Sequence, residues 1–253
     1  MRSESPIARL LWGPVNALQL LYTFGWSAFW IAVALVTVVL TRSTRPTLTL
    51  ARRIWAPGLL VGAGARLEVR GLERLAPYLA GRPALFVANH RSWIDIAALY
   101  RALPLELHFL AKRELAKVPF LGSYMRLMGM VLVDRADPRR AKATVGRAAE
   151  LLAAGCKVIS FPEGTRSRDG RLGRFKSGGF GAALEAGADV VPIAIVGAGE
   201  VLPPDGFRVR PGRIELLIGE PIAVEPFRPG NRAGLARRAE AEVAALLAGE
   251  SPS

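Results

Sequence analysis

The residues able to do chemistry gather in two short stretches. In Asn89-His90-Arg91-Ser92-Trp93-Ile94-Asp95 an imidazole stands five positions before a carboxylate. A histidine takes up a proton near neutral pH, and a carboxylate bound to its other ring nitrogen fixes the tautomer and steadies the protonated form. On a straight helix five residues turn through about 500°, leaving the two side chains roughly 140° apart. They meet only if His90 lies in a turn and Asp95 in the first turn of the following helix, with Ser92 as N-cap. The same Ser-x-x-Asp spacing scans as a capping box with aspartate in the Glu/Gln place. Spacing alone leaves both readings open.

The second stretch is Phe161-Pro162-Glu163-Gly164-Thr165-Arg166-Ser167. It offers a carboxylate, a flexible glycine, a hydroxyl and a guanidinium within four residues. Arginine grips a phosphate bidentately, and glycine lets a ligand approach the backbone. A polar turn closed by a local Glu163–Arg166 pair has the same composition.

Both stretches follow apolar runs that read as strands. The strand candidates are Leu67–Arg70, Ala84–Ala88, Leu107–Ala111, Met130–Val133, Lys157–Phe161, Val191–Val196 and Arg213–Ile218. Helical candidates alternate with them: Trp93–Leu103, Leu115–Leu127, Pro138–Ala153, Gly179–Ala186 and Arg232–Leu247. This alternation predicts an α/β fold, a mostly parallel central sheet flanked by helices. Ligands of such sheets bind beyond the carboxyl ends of the strands, where both stretches fall. Lys112, Arg135 and Lys176 also sit at or beyond strand ends; singly, each has the composition of a surface charge. His108, inside an apolar run, reads as a packed core residue, and residues 199–212, rich in proline and glycine, as a long surface loop.

Several chemistries are excluded. One cysteine, Cys156, and two histidines cannot build a disulfide framework or a multi-histidine metal centre, so no metal and no cofactor is expected. Residues 170–177 resemble a P-loop, but Phe175 stands where the second glycine must be. No G-x-S-x-G elbow occurs.

The front of the chain predicts an anchor. No charged residue occurs from Leu10 to Thr41, more than the about 20 apolar residues that span a bilayer and too long for a signal peptide. A shorter apolar stretch, Ile54 to Ala65, follows four arginines. One spanning helix, or a hairpin of two helices embedded in one leaflet, fits equally. The expected organisation is therefore 1–64 as membrane-anchoring helices and 65–253 as the catalytic domain, with the arginines favouring the cytoplasmic side. The formal charge of +13 is spread along the chain. It suits anionic lipid, while no nucleic-acid motif is present.

His90-x4-Asp95 followed by Phe161-Pro-Glu-Gly-Thr-Arg166 resembles the glycerolipid acyltransferase family, in particular its bacterial 1-acyl-sn-glycerol-3-phosphate acyltransferase branch. Gly129–Arg135 and Val191-Pro192-Ile193 complete the family's four blocks in order, over about residues 66–220; Leu132 stands where the family often has an aromatic residue. The resemblance implies that His90 is the general base and Asp95 its orienting partner. Glu163, Gly164, Thr165 and Arg166 would line the acceptor site with Arg166 on the phosphate, and Lys112 and Arg135 would be further phosphate partners. The implied reaction moves an acyl group from acyl-CoA or acyl carrier protein to the sn-2 hydroxyl of lysophosphatidic acid, giving phosphatidic acid at the inner membrane. Competing readings are acylation of another lysophospholipid or lyso-aminolipid, and, in another class, a non-catalytic basic membrane-binding protein.

Overall fold

A computed structural model describes residues 6–134, 138–227 and 230–249. Seven strands, β1 (Ala65–Arg70), β2 (Ala84–Ala88), β3 (Leu107–Lys112), β4 (Val131–Val133), β5 (Lys157–Ser160), β6 (Asp189–Val196) and β7 (Gly212–Ile218), form one sheet in the order β1-β7-β6-β2-β5-β3-β4. From β6 to β4 all neighbours are parallel; β7 runs antiparallel to β6 and parallel to β1. The carboxyl ends of β2, β5, β3 and β4 therefore share one edge. β2 is buried at all five positions, as a continuous apolar run inside a parallel sheet must be.

The helices are α1 (Pro6–Thr41), α2 (Arg45–Leu50), α3 (Ala56–Gly62), α4 (Ala76–Leu79), α5 (Ile94–Ala102), α6 (Leu121–Leu127), α7 (Pro138–Ala153), α8 (Phe180–Ala186), α9 (Ala198–Val201) and α10 (Arg232–Ala248). Side chains alternate across the sheet. Phe86, Ile159 and Ile193 pack with α5 on one face, while Leu85, Val87 and Val158 pack with α7, α8 and α10 on the other. The predicted strands and most helices appear within two residues of their expected ends. The predicted helix Leu115–Leu127 is instead two pieces, a 3-10 turn at Arg113–Lys117 and then α6. Pro119 forces Val118 into an extended conformation, and Phe120 reverses the chain at φ 62°.

The N-terminal segment is a hairpin. α1 runs unbroken to Thr41, the chain turns at residues 42–44, and α2, a π turn at Ala51–Trp55 and α3 return alongside it. The antiparallel register shows in three bonds: Gln19 Nε2 donates to the Gly62 carbonyl (3.2 Å), Trp26 Nε1 to the Trp55 carbonyl (3.0 Å), and Thr47 Oγ1 to the Ala34 carbonyl (3.4 Å). Any side chain at Gly58 or Gly62 would run into the Trp26 or Tyr22 ring. The two arms differ in what they bury. The return arm places Leu48, Ala56 and Leu60 in the same core as Ala97 and Phe86. The outer face of α1 leaves Leu18, Leu21, Phe24, Val39 and Leu40 between 67% and 78% exposed, an uncharged apolar stripe too long for an ordinary soluble surface. By length and composition Trp12–Thr41 is able to cross a membrane.

Candidate active site

The end of β2 is pinned before the first reactive residue begins. The Asn89 amide donates to the Ile195 carbonyl (2.9 Å) and accepts from the Ile195 N–H (2.7 Å), replacing strand pairing where it has just ended. His90 then lies in the turn and Asp95 in the first turn of α5, with His90 Nδ1 2.8 Å from Asp95 Oδ2. The same Oδ2 accepts the N–H groups of Arg91 (2.9 Å) and Ser92 (2.8 Å), and Ser92 Oγ accepts from the Ile94 N–H (3.2 Å). The capping and catalytic readings thus coincide in one oxygen: Asp95 closes the start of α5 as a capping box does and holds the imidazole. A carboxylate only accepts, so Nδ1 carries the proton and Nε2 the lone pair. The ring is largely buried, 14% exposed, and stacks on Phe161 at 4.0 Å.

Glu163 is buried, and both of its oxygens are taken by backbone. Oε1 accepts the His90 N–H (2.7 Å) and Oε2 the Gly173 N–H (2.8 Å). Burial raises its carboxyl above the ordinary carboxylate range, and these two bonds oppose the rise. A Cβ at Gly173 would come 2.9 Å from Oε2, so glycine makes room for the contact. On the other side of His90, its carbonyl accepts the Ser167 N–H at 2.9 Å. The 161–167 loop therefore grips His90 through both its N–H and its C=O. Phe161 and Ser167 lay within the stretch read from sequence, but nothing in their types announced these contacts. Gly173, from the rejected P-loop-like stretch, carried no signal.

Gly164 adopts φ 84°, the left-handed conformation that suits glycine, and Thr165 is exposed. Arg166 stacks over the Trp93 ring at 4.5 Å and donates from one nitrogen to the Pro204 carbonyl (2.6 Å). It is thereby fixed between the turn that carries His90 and the 202–211 loop. Lys112, the last residue of β3, reaches the same sheet edge but is exposed, 3.8 Å from Glu114; no contact joins it to His90. Arg135 lies outside the described residues. His108 bonds the Gly129 carbonyl from β3 (3.2 Å), a packing role.

A cleft of about 340 Å³ opens beside Glu163 and Thr165, and Arg171 and Arg174 line it. Neither arginine stood out in the sequence, because the P-loop comparison was the only motif covering them. Among the described residues no serine or cysteine side chain bonds His90.

The role of Glu163 as a staple is testable through its pH dependence. A raised folded value means that the folded state holds the proton more firmly, so its favourable contribution is complete below the ordinary value of 4.5 and fades as pH rises through the raised value. Glu163→Gln leaves one backbone N–H facing an amide NH2 and should cost about 1–3 kcal/mol. Urea unfolding from pH 4 to 7 should show a wild-type advantage that shrinks as pH rises. A constant difference would mean that the carboxyl does not titrate in this range.

A family model described as Acyltransferase matches residues 66–196. A 1-acyl-sn-glycerol-3-phosphate acyltransferase of Pseudomonas aeruginosa is 37% identical over 76% of this chain and 73% of its own length. The chloroplastic 1-acyl-sn-glycerol-3-phosphate acyltransferase LPAT1 of Arabidopsis thaliana is 37% identical over 67% of this chain and 47% of its own. The chain spans about half the length of the plant and algal relatives it matches. The crystal structure of the 1-acyl-sn-glycerophosphate (LPA) acyltransferase PlsC from Thermotoga maritima superposes with a TM-score of 0.77 at 26% identity, covering 94% of this chain and 97% of that one.

Proposed function

Since this chain belongs to the acyltransferase family, we propose that it transfers an acyl group from a thioester, acyl-CoA or acyl-ACP, to the sn-2 hydroxyl of 1-acyl-sn-glycerol 3-phosphate, forming phosphatidic acid. The observation that carries this reading is the imidazole at the sheet edge, its Nδ1 tied to buried Asp95, with no serine or cysteine side chain bonded to it among the described residues. Relatives from bacteria, plants and mammals named 1-acyl-sn-glycerol-3-phosphate acyltransferase support this choice of acceptor. His90 Nε2 takes the hydroxyl proton as that oxygen attacks the thioester carbonyl. The imidazolium, held by Asp95, then returns the proton to the departing thiolate as the C–S bond breaks. The proton count closes, and no covalent acyl-enzyme is needed.

The acceptor phosphate is assigned to the basic side of the 161–174 segment, with Arg166 as its first partner and Glu163 acting through the His90 backbone. Gly164 and Thr165 line the same approach, and Lys112 and Arg135 are assigned as further phosphate partners. The apolar stripe of α1 supports membrane association. We assign the hairpin to the cytoplasmic leaflet of the inner membrane, with the catalytic domain on the cytoplasmic side, on the strength of Arg42, Arg45, Arg52 and Arg53. A helix packed along a domain on one face and apolar on the other suits burial in one leaflet.

The deciding experiment incubates the full chain in membranes with labelled acyl thioester, with and without lysophosphatidic acid, and identifies the products. Labelled phosphatidic acid formed only with the acceptor supports the reading; free fatty acid at an equal rate in both would replace it with a thioester hydrolase. In the same assay Arg166→Ala should raise the acceptor KM about tenfold, the size of a lost charge-assisted hydrogen bond, and the donor KM much less. An equal rise in both would remove the phosphate role from Arg166.

A further inference from the structure

Halfway along the return arm the helix widens into one π turn, Ala51–Trp55, a feature that recurs at functional sites. Arg52 and Arg53 lie on it, and Arg101 lies in the last turn of α5, which packs against it. Burial first, then the charges of Arg101 and Arg53, push the Arg52 guanidinium below its ordinary range. Among the described residues none of these three has an ion-pair partner, although Arg45, Arg70, Arg74 and Arg82 each do.

Two donors at this level are also unused. The Arg52 Nε–H and the Trp30 indole N–H are both buried with nothing accepting them. With Trp26 opposite Trp55 and Ala34 opposite Thr47, the hairpin register puts Trp30 level with Ala51. Buried donors normally find acceptors, and like charges crowd together only at a cost. An anion with several acceptor oxygens would meet both the unmatched donors and the crowded charge, and guanidinium groups take a phosphate bidentately.

We infer that Arg52, Arg53 and Arg101 hold the phosphate of an anionic phospholipid, bound where the hairpin meets α5 as a resident lipid and not as substrate. Two observations choose lipid over a free anion. Ile54, exposed on the same turn, and the apolar stripe of α1 would accept the acyl chains. Asp95 and Arg101 stand at opposite ends of α5, about 9 Å apart along its axis, which separates this headgroup from His90. The inference rests on the membrane placement proposed above and is independent of acyl transfer.

The test uses the full chain, purified in a neutral maltoside detergent, and native mass spectrometry with phosphatidylglycerol or phosphatidylcholine of matched chains. One phosphatidylglycerol should be retained in preference. Arg53→Gln with Arg101→Gln, both at exposed positions, should weaken it about thirtyfold, from two interfacial charges lost, and leave phosphatidylcholine unaffected. Arg53→Lys with Arg101→Lys should keep most of the preference. Equal retention of the two lipids by wild type, or undiminished phosphatidylglycerol on the glutamine variant, overturns the site. Displacement of phosphatidylglycerol by millimolar inorganic phosphate would make it a bare anion site and overturn the lipid. Partitioning of wild type onto pure phosphatidylcholine vesicles checks the membrane placement separately: its failure removes that placement and this inference together, and its success with no lipid preference removes this inference alone.

Discussion

Replacing His90 by alanine should lower kcat for acyl transfer by about 10³-fold, the usual worth of a positioned general base, with little change in either KM. The expectation follows from the single free nitrogen of the ring. Nδ1 is committed to Asp95 at 2.8 Å, so Nε2 is the only site able to take the hydroxyl proton. The fold should tolerate the change, because the 161–167 loop and Asp95 hold the His90 backbone and its neighbours through N–H and C=O groups that alanine also has. Initial rates at saturating lysophosphatidic acid, set beside a melting curve, check this. A fully active His90→Ala with wild-type stability would move the base elsewhere.

Asp95→Asn should be nearly as damaging, and for a different reason. With its oxygen in the place of Oδ2 an amide can still meet His90 Nδ1 and the Arg91 and Ser92 N–H groups, but its NH2 then takes the buried place of Oδ1, where nothing accepts it. If the NH2 turns toward Nδ1 it donates, and the ring proton moves to Nε2, where the base must be vacant. A loss in kcat of about 10²–10⁴-fold is expected, together with about 1–3 kcal/mol of stability from the buried group left unmatched. The double variant His90→Ala/Asp95→Asn should be no slower than His90→Ala alone, since groups that act as a unit lose their contribution once. Multiplying losses would mean that Asp95 serves the reaction by a route that does not pass through His90.

Composition and spacing made much of this visible. Central strands such as Ala84–Ala88 are short apolar runs closed by polar residues, and burial on both faces permits little else. The His90–Asp95 pairing was legible because helix geometry admits it in one arrangement only. Other features are properties of contacts and leave no mark on residue type. The reversed pair β1 and β7 reads like any other strand. Ile54 to Ala65 looked lipid-facing, although Ala56 and Leu60 pack in the protein core, because bilayer and core select the same side chains. Glu163 carried the chemistry of a ligand-binding group and turned out to satisfy two backbone donors. Arg171 and Arg174 were hidden by the rejection of the motif that contained them.

The grip of the 161–167 loop on both faces of the His90 peptide has a consequence for exchanging parts between relatives. The two motifs are 66 residues or more apart in the chain, yet they share backbone bonds at His90 N–H and His90 C=O. A chimera that imports one of them alone must fit a foreign loop to a native turn within hydrogen-bond tolerance at two points at once. Transplants of acceptor preference should therefore succeed when the segments around His90 and Glu163 travel as one inherited module, and stall when a junction falls between them.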